Sequence, residues 1–518
     1  MMDRMISGRC VLVAMAALPV ACGAVERNVN VWYPGETIEL KLAVPPVHAD
    51  ADYDLRVIDW QEREVLKRTY DAATGGKVAF TSDDIGAFGA FRAEVVERGT
   101  TNAPVAQTWF ARLVSEKVDL CPWVGTGTHV ARCPCYADGR YIDLLVAAGV
   151  GVVREDCVWS SVERKKGEYD YGRYERTFED LEARGIRLNF LMTWCNELYE
   201  NPLDADAFAA FCAHTARKFK GRAKHYEIWN EPQNTPWRKV YPNDERDANS
   251  NLVWVVKFAE LCRKSAAAIH AEDPEATVAL TGEDVDWLLY DMIKVGCAKK
   301  GDLISFHPYC HAQPRPEREY WFNDGGRKMR ELCAANGGCD RFCITEAGWT
   351  TFKGRVKYLE IAGCYPKSSY VHQAQYLMRM YILARLTGIE YACQYCWADE
   401  GTEPSYTEHN FGQLFNDLTP KPSFAATAFL TRLLGKAEVV GDESTDQKKW
   451  RMPTFVRNGK SVRAIWSVEG DMDIPMPEAL RLAQFLDLMG NRIKAPVSEA
   501  GAIHLTEVPV YAVSAREE

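Results

Sequence analysis

A chain of 518 residues exceeds one compact core and implies roughly two to four domains, while 47% hydrophobic and 26% charged residues exclude disordered and collagen-like classes. The formal net charge of −10 argues against a nucleic-acid partner and against a polyanionic substrate lacking a local basic pocket. The densest basic run, ERKKGE at 163–168, reads as a solvated loop.

In chain order, residues 1–24 read as a signal peptide: Arg4 and Arg9 flank the start of CVLVAMAALPVACGA, an apolar stretch too short to span a bilayer. This places the protein outside the cytoplasm, secreted or periplasmic. A lipid anchor on Cys22 is disfavoured because Pro19 sits where such signals carry an aliphatic residue. No later stretch is apolar enough for a membrane helix. Of 17 cysteines, the pairs CPC at 133–135 and CQYC at 393–396 invite a metal or redox reading, but no second set stands at matching spacing. Buried small hydrophobes or isolated disulfides are the better reading, and no metal site or cofactor is legible.

Residues 25–118 alternate apolar and polar in short runs (VNVWY, TIELKLAV, YDLRVIDW, FRAEVVER, QTWFARLV) broken by turn signals, the pattern of an N-terminal β-sandwich. From Asp119 the rhythm changes to repeated β-α units. Strand candidates are WVGTGT (123–128), GVGVVRE (149–155), IRLNFLMTW (186–194), HYEIWNE (225–231), TVALTGE (277–283), LISFHPY (303–309), FCITEAGW (342–349) and IEYACQYCW (389–397), with amphipathic helical segments between them. Eight units within residues 119–435 predict an α/β fold, a closed (β/α)8 TIM barrel. Residues 436–518 are strand-rich again and read as a C-terminal β-domain.

Such a barrel packs its strand middles as core and places chemistry at the strands' carboxyl ends. The polar and aromatic residues at those ends are Arg154, Trp194, Asn230, Glu231, His307, Tyr309, Glu346, Trp349 and Trp397. Glu231 and Glu346 end strands four and seven and face one another across the mouth. Two facing carboxyl groups among aromatic rings are the minimum set for cleaving a glycosidic bond: one protonates the leaving oxygen, and the other attacks the anomeric carbon or activates water. Each also has a structural alternative, as a salt-bridged acid or helix cap.

IWNEP with a downstream ITEAGW resembles the paired signatures of the clan A retaining glycoside hydrolases, (β/α)8 enzymes with glutamates on strands four and seven. Within the clan, the order GVVRED, WNEP, SFHPY, TEAGW and a strand-eight Trp is most similar to families 39 and 5, and GTGT leans toward family 39. The resemblance covers residues 119–435. It implies Glu231 as acid/base, Glu346 as nucleophile, Asn230 on the sugar 2-hydroxyl, Arg154 and Tyr309 holding the nucleophile, His307 as a substrate or acid/base contact, Trp397 beneath the sugar, and His129 as a substrate contact. Trp194 and Trp349 are further candidate sugar contacts. The sequence departs from many family 39 members in having Glu155 and Asp156, not a histidine, after Arg154.

The leading reading is an exported retaining glycosidase acting on β-linked or equivalently configured oligosaccharides or polysaccharides. A transglycosylase using the same pair, a non-catalytic carbohydrate-binding protein on a hydrolase-like barrel, and a disulfide-rich surface protein are the alternatives. Segment 310–335 reads as a loop closing the cleft, or as a basic patch (Arg315, Arg318, Arg327) that greets an acidic sugar.

Overall fold

The computed structural model describes residues 29–44, 51–100, 103–131, 139–201, 203–234, 245–283, 287–310, 314–319, 321–322, 326–353 and 368–515. The leader reading at 1–24, Cys22, the CPC pair and parts of segment 310–335 lie outside them.

Eight parallel strands close into a barrel: β1 (Cys121–Thr128), β2 (Val150–Val158), β3 (Arg187–Thr193), β4 (His225–Ile228), β5 (Thr277–Glu283), β6 (Leu303–Phe306), β7 (Arg341–Ile344) and β8 (Ala392–Gln394). Each falls on its sequence-predicted run. β4, β6, β7 and β8 stop three to five residues short of the ends of those runs, and the residues left over are the polar tails at the mouth. Intervening helices begin and end as their sequences dictate. Asp204 caps Ala205–Lys218 by accepting from two backbone amides, Ser369 caps Tyr370–Leu386, and Gly149, at φ +71°, ends Gly139–Ala148. Their apolar faces join the strands' outward faces in one large core.

Inside the barrel the side chains form layers. Val152, Ala279, Leu303, Cys343, Tyr391 and Cys393 make an apolar layer. Arg154 is two residues further along β2 and so points inward again, toward the mouth.

On the N-terminal side a five-stranded sheet (Val31–Trp32, Ala106–Arg112, Gly89–Glu97, Tyr53–Asp59, Glu64–Tyr70) and a two-stranded ribbon (Thr37–Lys41 with Lys77–Thr81) share an apolar cluster that includes Ile38, Leu40, Val57, Phe80 and Phe110. On the C-terminal side lies a seven-stranded sheet that includes Lys460–Ser467 and Val510–Ala515, with a ribbon of Met472–Ile474 and Ile503–Leu505. The N-terminal and C-terminal β-regions touch: Asn491 Oδ1 accepts from Phe88 N at 2.7 Å, and Asn491 Nδ2 donates to Phe88 O at 2.9 Å. No helix among the described residues is long and apolar enough to cross a membrane.

Candidate active site

The site grows from β4. Trp229 and Glu231, just beyond this strand, have φ of 67° and 42°, and Trp194 beyond β3 has φ 68°. Side chains rarely accept this left-handed backbone, and such strain collects at functional sites. Here it aims neighbouring side chains at different partners, Asn230 at Arg154 and Glu231 at His307.

Arg154 organises the floor of the mouth. Its Nε donates to Glu227 Oε2 at 2.6 Å and Nη2 to Glu227 Oε1 at 3.2 Å; Nη2 also reaches Asn230 Oδ1 at 2.8 Å, and Nη1 reaches Glu346 Oε1 at 2.5 Å. Asn189 Nδ2 adds a bond to Glu227 Oε2 at 2.9 Å. Burial opposes charge on the guanidinium, but Glu227 and Glu346 outweigh it and hold its proton affinity well above the ordinary value.

Both oxygens of Glu346 are engaged, because Tyr309 donates its hydroxyl to Oε2 at 3.0 Å. His307 is fully buried, with Nδ1 2.9 Å from Glu231 Oε1 and Nε2 3.1 Å from Thr345 Oγ1. Burial disfavours the charged imidazole, yet the carboxylates of Glu346 and Glu231 prevail and raise its proton affinity. Ligand atoms of Glu231, His307 and Glu346 all lie within 4.8 Å of one another. That spacing also suits a cation, although the Arg154 guanidinium already supplies positive charge to Glu346.

A second cluster forms the wall between β1 and β8. His129 Nδ1 contacts Glu400 Oε1, and Tyr395 donates to Glu400 Oε2 at 3.2 Å. Glu155 brackets His129 from below, accepting from Thr128 Oγ1 at 2.7 Å, Val130 N at 3.0 Å and Ala131 N at 3.1 Å. Glu408, on the turn Thr407–Asn410, shares the field of this wall: burial, then Glu346, Glu400 and Glu231, push its carboxyl up to about 7. The chain after β7 approaches closely here. A Cβ on Gly348 would stand 2.3 Å from Tyr395 O and 2.9 Å from the Phe411 ring.

The structure thus gathers Arg154, Asn230, Tyr309 and Glu346 into one hydrogen-bonded group and Glu231 with His307 into another, the two meeting where His307 Nδ1 stands 3.9 Å from Glu346 Oε2, with His129 on the adjoining wall. Two tryptophans go elsewhere. Trp397, expected beneath the sugar, is fully buried in the helical layer, its Nε1 donating to Tyr141 O at 3.2 Å and its ring 5.8 Å from Phe424. The strand has ended by Gln394 and the chain has turned, so the inward alternation stops at Tyr395, which carries the half-buried ring at the mouth. Trp349 is buried too, its Nε1 donating to Pro314 O at 2.7 Å. Trp194 remains half-buried, its ring centroid 6.4 Å from that of Trp229.

The three arginines of the expected basic patch are each paired with a carboxylate. Arg315 pairs with Glu507 at 2.9 Å, Arg318 with Glu469 at 3.1 Å and Arg327 with Glu331 at 2.7 Å. All twelve cysteines among the described residues are free, Cys393 and Cys396 included. Sequence reasoning passed over Glu227, Tyr395, Glu400 and Glu408, and noted Glu155 only as a departure from the family 39 pattern. An acid in a four-residue buried strand, as at Glu227, was the available signal, since such a charge demands a cation.

No protein-family model matches the chain, and no curated protein does. Solved structures do. A family 39 glycoside hydrolase from the gut symbiont Bacteroides cellulosilyticus WH2 superposes with a TM-score of 0.70 at 18% identity, covering 94% of this chain and 99% of its own. A glucosidase from Croceicoccus marinus gives 0.51 at 12% identity, covering 78% and 97%. At these identities the likeness is one of fold. The resemblance to family 39 read from the motifs has its counterpart in that fold-level likeness over nearly the whole chain.

Proposed function

We propose that the protein is an exported, retaining glycoside hydrolase that cleaves β-linked or equivalently configured glycans by double displacement. The observation that carries this reading is the approach of Glu231 and Glu346 oxygens to within 4.8 Å. Retaining pairs stand about 5–5.5 Å apart, whereas inverting pairs leave about 6.5–9.5 Å for a water.

In this reading Glu231 gives its proton to the glycosidic oxygen as Glu346 attacks the anomeric carbon, so the leaving sugar departs as an alcohol and a glycosyl ester forms on Glu346. Glu231, now a carboxylate, takes a proton from water. The hydroxide oxygen bonds to the anomeric carbon, and the ester bond breaks to return Glu346. Arg154 and Tyr309, bound to separate oxygens of Glu346, hold the attacking carboxyl group in one orientation before attack and after release. Asn230, held by Arg154, faces the sugar 2-hydroxyl. The reading includes a signal peptide over residues 1–24, a β-sandwich over 25–118, and a β-domain over 436–518 that frames the barrel.

The test is hydrolysis of a panel of aryl glycosides and β-glycans by the wild type beside Glu231→Ala and Glu346→Ala. Each substitution should lower kcat by roughly 10^3-fold or more. Azide should restore turnover of activated substrates, and NMR should show the first-formed product with the substrate's anomeric configuration. An inverted first product refutes double displacement.

A further inference from the structure

Behind the loops that follow β7 and β8 lies a buried set of amides, in a place where apolar side chains would pack with no polar group to satisfy. Gln373 on the helix Tyr370–Leu386, Gln394 at the end of β8 and Gln413 in the loop beyond it are all buried. Gln394 Nε2 donates to Phe411 O at 2.8 Å, and its Oε1 accepts from Gln413 Nε2 at 3.1 Å. Gln373 Nε2 lies 2.9 Å from Trp349 O, 3.1 Å from Phe411 O and 3.2 Å from Gly412 O. Carbonyls only accept, so they fix which way these two amides face. Ser423 Oγ donates to Gln373 Oε1 at 2.8 Å and Thr427 Oγ1 to Gln413 Oε1 at 2.7 Å, both hydroxyls being buried on the helix Pro422–Leu434. Phe411 O therefore receives two side-chain N–H groups, one from each side of the junction between barrel and loop.

The ring of Phe411 carries that hold to the site. It meets Tyr309 edge to face at 6.2 Å between centroids and Tyr395 in the same manner at 5.5 Å, in one cluster with Cys396. Gly348, two residues beyond Glu346, leaves the room that the ring occupies. We propose that Gln394 is a positioning residue: by fixing Phe411, with Gln373 as the second support, it holds Tyr309 with its hydroxyl on Glu346 Oε2. The consequence for rate rests on the glycosidase reading. A fully satisfied buried network rigidifies its surroundings and selects one geometry. The geometry selected here is the approach of a hydroxyl to the attacking carboxyl group, where a misplacement of about 1 Å costs on the order of 100-fold in rate.

The test compares Gln394→Met and Phe411→Leu in two backgrounds, wild type and Tyr309→Phe. Gln394→Met removes the amide at similar volume, whereas Phe411→Leu keeps the amides and their carbonyl and removes the ring. With the aryl glycoside that the wild type cleaves best, each change should lower kcat per folded enzyme by about fivefold or more and leave KM within about twofold, because the lost contact serves the transition state. In Tyr309→Phe each should cost less than about twofold, since the hydroxyl through which both act is gone. A merely structural role predicts the same loss in both backgrounds, or a loss carried by KM, and either result overturns the inference. Crystal structures of the two variants read the same point without turnover: the distance from the Tyr309 hydroxyl to Glu346 Oε2, 3.0 Å in the parent chain, should open beyond about 3.5 Å. A bond unchanged in both variants overturns the inference. A wild type that cleaves no glycoside, beside variants in which that bond is broken, sinks the hydrolase reading and keeps the placement of Tyr309 by Gln394.

Discussion

Glu227 grips Arg154 by two bonds, Nε to Oε2 at 2.6 Å and Nη2 to Oε1 at 3.2 Å, and both residues are buried. This places the positive charge below the mouth before any substrate arrives, leaving Nη1 for Glu346. Removing one partner of a buried pair leaves the other charge uncompensated. Glu227→Gln should therefore lower unfolding free energy by about 3 kcal/mol. Urea denaturation followed by circular dichroism checks this, and an unchanged midpoint would show that Glu346 alone satisfies the guanidinium.

Tyr309 offers a change with the opposite signature. Its hydroxyl meets Glu346 Oε2 at 3.0 Å, and the ring packs with Cys396 and Phe411. Tyr309→Phe keeps the ring and deletes a bond to a charged group, worth roughly 1.5–3 kcal/mol. On the proposed mechanism kcat/KM should drop by about 10- to 100-fold, with the thermal midpoint nearly unmoved. A variant as active as wild type would remove Tyr309 from the machinery.

These residues also mark how far the sequence could be read. The eight strands were legible because β-branched runs of the right length alternate with amphipathic helical segments, and Glu231, Glu346 and Arg154 stood out as polar groups at or near the ends of buried strands. Its position at the end of the predicted eighth strand and the family resemblance both place Trp397 beneath the sugar, and the structure departs from both: the inward alternation of Tyr391 and Cys393 reaches only Tyr395, and the chain turns after Gln394 and sends Trp397 into the helical layer. Glu400 and Glu408 lie in a loop with no period to follow. Glu155 looked like a departure from a family pattern, and its role as the support beneath His129 emerges only when β1 and β2 pair.

Glu155 gives a pH prediction. Burial pushes its carboxyl up to about 7, against the donors from Thr128 and Ala131 that favour the charged form. The folded chain therefore holds a proton there that the unfolded chain, with a carboxyl near its ordinary value, has released. Stability from this group is fully present below about pH 4.5 and is lost as pH rises toward about 7, with no further change above. Glu155→Gln, which cannot ionise, should flatten the fall in denaturation free energy across that window. An identical slope in wild type and variant refutes the assignment.

The two aromatic residues at the end of β8 should separate stability from binding. Trp397 is fully buried against Phe424 and hydrogen-bonded to Tyr141 O, so Trp397→Ala opens a cavity and should cost about 3–5 kcal/mol of stability. Whatever protein remains folded should bind sugar as the wild type does, because the ring never reaches the mouth. Tyr395 is half-buried, touches Glu400 through its hydroxyl, and stands 5.5 Å from Phe411 and 6.1 Å from His129 between ring centroids. Tyr395→Phe removes only that hydroxyl, so unfolding should change little, while KM for the preferred aryl glycoside rises by about 5- to 10-fold, the value of one neutral hydrogen bond. Differential scanning calorimetry and initial-rate kinetics on the two variants decide between them. A Trp397→Ala protein of normal stability and raised KM, beside a Tyr395→Phe protein with unchanged KM, would return the sugar platform to Trp397.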